Sequence, residues 1–230
     1  MHGKSSESQA LKSTSILSLG WLLAVALVLT VVYFTKGYLP DCFVLTSDLH
    51  SVVARPWSLF TYGLVHQSAT HLITSLVLLT LATLYSGLSV RLFYLIVSVA
   101  ICVGGLFFTL TYGVIGRHTA ELAGASAGIC SLFPHLLFVR SGQKLSLDAQ
   151  VVRLLFVLVA IGDVGYALLA SNPGFLAHIG GYLVGLMALP LIRKEQTAQK
   201  AQGVLRKMRH SGYASLTDEE RMILLGKTDS

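Results

Sequence analysis

Gly124-Ala125-Ser126-Ala127-Gly128 is the stretch on which the reading of this chain turns. It sets one hydroxyl among four residues with little or no side chain, where a polar loop gives way to an apolar run. A serine so framed is open to approach from several sides, which suits a nucleophile. It equally suits helix packing, because Gly124 and Gly128 stand at the four-residue spacing that lets membrane helices touch. The surroundings have to decide between the two.

Outward from that stretch the chain is apolar. Of 230 residues 53% are hydrophobic and only 12% charged, a balance that excludes an ordinary soluble globular domain and points to a polytopic membrane protein. Apolar runs of bilayer-crossing length occupy about Ile16 to Phe34, Tyr62 to Ser86, Phe93 to Val114, Leu122 to Val139, Val151 to Ala170 and Phe175 to Ile192. The expectation is an all-α membrane protein of six transmembrane helices. It has a polar N-terminal tail over 1–15, a membrane domain over 16–192 and a basic tail over 193–230. The first run is longer than a signal-peptide core and no small-residue cleavage site follows it, so it reads as a retained anchor.

Finer features follow from local chemistry. Lys36 to Thr61 reads as a loop lying in the interface, with Trp57 at headgroup depth. Pro134 removes a backbone donor within the fourth run and predicts a kink. In the tail, Thr217 and Glu220 have the spacing of a capping box for a short helix ending near Leu225. Basic residues set the orientation: Lys4, Lys12, Arg91, Arg140, Lys144 and the cluster from Arg193 onward fall on one side, with Lys36, Arg55 and Arg117 opposite. Both termini are therefore expected in the cytosol. The basic tail carries no interleaved aromatics, which argues against nucleic acid and for a lipid surface. Cys42, Cys102 and Cys130 are odd in number and scattered, supporting neither a disulfide framework nor a metal knuckle.

With that topology Ser126, His178 and His71 come from three different helices at one depth near the outer surface, where an ionisable side chain must face protein or water. Ala177, Gly181 and Gly185 recur every four residues on one face of the sixth helix. If that face packs on the fourth helix at Gly124 and Gly128, Ser126 Oγ comes within reach of the His178 imidazole, a nucleophile and its general base. His66, His118 and His135 read as interfacial or hydrogen-bonded histidines, and Arg153 as a snorkelling side chain. Asp163 is an intramembrane acid that reads as a structural acceptor on the fifth helix, with the wall of a water-lined cavity as the second choice. An aspartyl protease would need a second membrane Asp. A zinc protease would need His-Glu-x-x-His, which the His66 to His71 spacing does not supply; no metal and no cofactor is expected.

Pro56-Trp57 with Phe60-Thr61, then His66 and His71, then Gly124-Ala125-Ser126, then Ala177-His178-Ile179-Gly180-Gly181 with Gly185 form an ordered set. In it the chain resembles the rhomboid family of intramembrane serine proteases, bacterial type, over about Ile16 to Ile192. The resemblance implies a six-helix rhomboid-like bundle, Ser126 as nucleophile, His178 as base, and a dyad with no carboxylate. It implies an oxyanion held by the Ser126 backbone N–H and His71, with Ser75 as a further candidate donor. It implies single-pass membrane proteins as substrates, in a bacterial cytoplasmic membrane, with the active site opening outward. Five features depart from the family's usual pattern: Ser75 stands where Asn is usual, Cys130 where a Tyr commonly packs on the catalytic His, Ala127 where Gly is commonest, Ser58 where Arg usually follows the Trp, and the acidic residue often found near the end of the second helix is missing around Gly87. Those at Ser75 and Cys130 motivate the alternative of a non-catalytic rhomboid-like protein that binds or escorts membrane clients. The sequence leaves the oligomeric state open.

Overall fold

A computed structural model describes residues 42–115, 119–139, 147–170 and 172–226. The first apolar run and the polar segment before it lie outside the described residues. So do Lys36, Arg117, His118, Arg140 and Lys144, on which part of the expected orientation rests.

Where a bare interfacial loop is expected, short elements form. They are β1 (Leu45–Thr46), α1 (Leu49–Ala54) and α2 (Ser58–Thr61), followed by a 3-10 turn at Tyr62–Leu64. Asp48 starts α1 by accepting the backbone N–H of His50 and Ser51. Its carboxyl is held below the ordinary value by the Ser51 hydroxyl and N–H. Trp57 Nε1 donates to the Cys42 carbonyl at 2.8 Å, folding the segment back on itself.

The second run does not form one helix from Tyr62. Tyr62 is fully buried and its hydroxyl donates to the Ile101 carbonyl. The helix begins only after Ser68, whose hydroxyl caps it by accepting the His71 N–H at 3.1 Å. This is α3 (Ala69–Ser86), closed by Gly87 in the left-handed conformation. Next come α4 (Val90–Ile115) and β2 (Glu121–Leu122), the latter paired antiparallel to β1 with Leu45 opposite Leu122.

The fourth run departs furthest from expectation. Leu122 belongs to β2, and α5 covers only Ser126–Cys130. A turn at Ser131 and Leu132 and a wide π-type stretch at His135–Val139 complete it. Pro134 stands between them without an N–H to give to the Cys130 carbonyl, so the regular ladder stops there. Arg153 does not snorkel: its Nη2 donates to the Leu137 carbonyl at 2.7 Å, satisfying an acceptor in this irregular stretch. His135 is fully buried, with Nε2 against the Ser86 carbonyl oxygen at 2.7 Å.

Two long helices follow, α6 (Leu147–Ala170) and α7 (Phe175–Ser211). Helices α3, α4, α6 and α7 are long and apolar enough to cross a membrane, while the segment Ser126–Phe138 is shorter. Among the described residues that makes four spans where five of the six expected runs fall. Among the described residues the fold is all-α apart from the two-residue pairing of β1 with β2.

The chain divides into two compact units between Met187 and Ala188. In the first, Phe133 packs edge-on against Phe156 (4.8 Å between ring centres) and Tyr182 (5.6 Å). This aromatic cluster fastens α6 and α7 to the segment after α5. In the second, Thr217 and Glu220 make both halves of the expected capping box at the start of α8 (Asp218–Leu224). Glu220 also pairs with Lys207.

Candidate functional site

Ser126 is the first residue of α5, and three neighbours dictate its surroundings. Gly124 takes φ +124°, a conformation L side chains rarely adopt. A Cβ there would overlap the His71 ring, standing 2.8 Å from Nε2 and closer still to Cε1. The Gly124 N–H donates to the Tyr62 carbonyl at 2.8 Å. Ala125, the N-cap, offers no side-chain cap, so the first N–H groups of the turn are not taken up by one.

α7 reaches this turn through its small-residue stripe, though not on the glycines expected. A Cβ on Gly181 would collide with the Ala127 carbonyl oxygen, and one on Gly185 with that of Ser131. Gly128 instead faces α4, where a Cβ would stand 2.8 Å from Val97. Gly180 meets α4 as well, at Gly104. The small residues around Ser126 therefore serve different neighbours: Gly124 makes room for His71 and Gly128 for α4, while Gly181 of α7 makes room for the Ala127 carbonyl.

The approach of α7 brings His178 Nε2 to 2.7 Å from Ser126 Oγ. His71 lies beside Gly124, two residues before the serine, with His66 edge-on to it at 5.1 Å between ring centres. His66 is not interfacial but buried, and among the described residues neither ring nitrogen finds a hydrogen-bond partner. Ser75 is buried one turn further along α3.

The resemblance implies a dyad with no carboxylate, yet a carboxylate stands beside the His178 imidazole. Asp163 Oδ1 lies 2.7 Å from His178 Nδ1, and the Tyr182 hydroxyl donates to Asp163 Oδ2 at 3.3 Å. Asp163 is thus an acceptor, as expected of it, but its partner is the imidazole of the site. The sequence signal was present in part: an acid in an apolar run needs a partner, and α6 enters the site from a direction that spacing alone does not reveal. Tyr182, one turn after His178, gave no signal at all.

Cys130 is buried in the same cluster. Its Sγ, a carboxylate oxygen of Asp163 and a ring nitrogen of His178 lie within 4.8 Å of one another, a donor set that could grip a thiophilic divalent ion. Asp163 and His178 already satisfy one another, and that bond has to open before either turns to a metal.

No curated protein matches the chain closely enough to lend it a finer assignment. The family model described as Rhomboid domain matches residues 53–195, a span that takes in His71, Ser126, Asp163 and His178. An integral membrane protein with four apolar helices of spanning length among its described residues, the chain belongs to the rhomboid family.

Proposed function

We propose that the protein is an intramembrane serine endopeptidase that cleaves transmembrane segments of single-pass membrane proteins. The observation that carries this is the 2.7 Å approach of Ser126 Oγ to His178 Nε2, a nucleophile within hydrogen-bond reach of its base. Membership of a family made up mostly of intramembrane serine proteases supports it.

Ser126 Oγ attacks the scissile carbonyl carbon as His178 Nε2 takes the hydroxyl proton, and the carbonyl π electrons move onto oxygen. Collapse of the tetrahedral intermediate breaks the C–N bond, with the proton passing from Nε2 to the leaving amine. Water, activated by the same imidazole, then releases the acyl group from Ser126. The oxyanion is received by the Ser126 backbone N–H and by His71, with Ser75 one turn beyond. His71 packed against Gly124 supports that role, and one such donor is commonly worth about 3 kcal/mol in the transition state. A helical substrate must unwind locally before this attack, because helical backbone is closed by its own hydrogen bonds. No cofactor enters the scheme. Both termini lie in the cytosol and the site opens to the outer face of a bacterial cytoplasmic membrane.

Cleavage of a reporter membrane helix by wild type, Ser126→Ala and His178→Ala, with Ser75→Asn alongside, tests this reading. The first two substitutions abolish cleavage, and Ser75→Asn leaves it equal or improved. A fully active Ser126→Ala ends the mechanism. Fluorophosphonate labelling separates the non-catalytic client binder, which the departures at Ser75 and Cys130 favour: a catalyst labels at Ser126 and a binder does not label.

A further inference from the structure

We infer that Asp163 is a positioning residue for His178, so that this chain works with a serine, a histidine and an aspartate contributed by three separate segments of the membrane domain. The inference rests on the protease reading of Ser126 and His178.

Both carboxylate oxygens of Asp163 are engaged, Oδ1 with His178 Nδ1 at 2.7 Å and Oδ2 with the Tyr182 hydroxyl at 3.3 Å, which fixes the plane of the carboxylate. A carboxylate only accepts hydrogen bonds, so the proton of the neutral imidazole stands on Nδ1 and the Nε2 lone pair is left facing Ser126 Oγ. That is the tautomer a general base needs. An imidazole free to hold its proton on Nε2 would donate toward the serine and could not accept from it. When His178 takes the serine proton, the imidazolium that forms lies against the Asp163 charge. The side chains of His178 and Asp163 are each 16% exposed, so water competes little for the bond.

Cys130 is the companion of this arrangement. Its Sγ shares a 4.8 Å cluster with Asp163 and His178. The tyrosine that rhomboid proteases commonly carry at this position is far bulkier than the thiol that stands beside the carboxylate here. A small residue at 130 and an acid at 163 thus belong together, and the carboxylate holds the imidazole where a ring would otherwise pack on it. The titratable groups facing His178 are Asp163 from α6, Tyr182 from its own helix, Cys130 from α5 and His71 from α3.

The test compares full-length wild type, Asp163→Asn, Asp163→Glu and Ser126→Ala in nanodiscs, using reporter cleavage and nitrogen-15 NMR of labelled histidine. In the wild type the His178 resonances show the Nδ1-protonated tautomer. Asp163→Asn, which can turn its amide toward Nδ1, shifts the imidazole toward the Nε2-protonated form. It lowers kcat about 100-fold or more with KM little changed, and Asp163→Glu restores part of kcat. An Nε2-protonated His178 in the wild type overturns the inference even if every variant misfolds. So does an Asp163→Asn enzyme of wild-type kcat when Ser126→Ala is inactive. An active Ser126→Ala overturns the protease reading instead, so the two failures are distinguishable.

Discussion

The carbonyl oxygen of Ala127 stands where a Cβ on Gly181 would have to go. The backbone directly after Ser126 is thus the surface that α7 rests on, three residues past His178. Gly181→Ala forces the two segments apart. We expect a loss of about 1–3 kcal/mol from overpacking and, because displacement by about 1 Å can cost on the order of 100-fold in rate, a fall in kcat larger than the fall in folded protein. Thermal melting in detergent beside reporter cleavage separates the two effects.

Arg153 and the Leu137 carbonyl form the second contact that the chain needs for its broken fourth segment. Arg153→Met keeps the length of the side chain and removes the donor. A half-buried acceptor left without its partner costs about 1 kcal/mol. Arg153→Met should melt earlier while keeping its residual cleavage per folded molecule, and a melting point equal to wild type would refute the assignment.

Cys130 predicts an asymmetry. Cys130→Ala removes a small buried group and should cost about 1 kcal/mol while leaving cleavage nearly intact. Cys130→Tyr, although it installs the residue common in the family, pushes into the space of Asp163 and should lower cleavage by about 10-fold or more. Cleavage by Cys130→Tyr at or above the wild-type rate would contradict this.

In the C-terminal unit, Lys207 and the Thr217 N–H hold the Glu220 carboxyl below its ordinary value of 4.5. A carboxyl depressed by folding contributes stability that is present above its ordinary value and is lost as pH falls through the depressed one. The α8 helix should therefore persist from neutral pH into the ordinary carboxylate range and fray below it. Glu220→Gln should remove that dependence. Thr217→Ala should cost the helix about 1 kcal/mol at neutral pH through loss of its cap. Backbone chemical shifts of residues 218–224 between pH 7 and 3 report all three outcomes.

Much of the site was legible in the sequence because its signals are local. Gly124 before Ser126, and Ala177, Gly181 and Gly185 around His178, are patterns a reader can count, and they pointed to the approach of His178 to Ser126. What stayed hidden depended on how segments turn in space. An apolar run looks the same whether it makes one helix, as α4 does, or a strand, a five-residue helix and a π-type stretch, as Leu122 to Val139 does. Hydropathy counts side chains, whereas Gly124, Pro134 and the Leu45–Leu122 pairing act on the backbone. The contact of Asp163 with His178 was hidden for a related reason, since α6 and α7 meet through aromatic packing among Phe133, Phe156 and Tyr182 rather than through any spacing.

Of the four spans, α6 has the least protein around it, with 11% of its apolar window buried and open space beside both Gly162 and Gly165. Little of its perimeter meets protein among the described residues, yet it carries the carboxylate bonded to His178. A helix with few protein contacts adjusts its tilt to the bilayer more freely, and Asp163 links this one to the His178 imidazole. On the protease reading, thinning or thickening the bilayer is expected to change turnover without altering a residue.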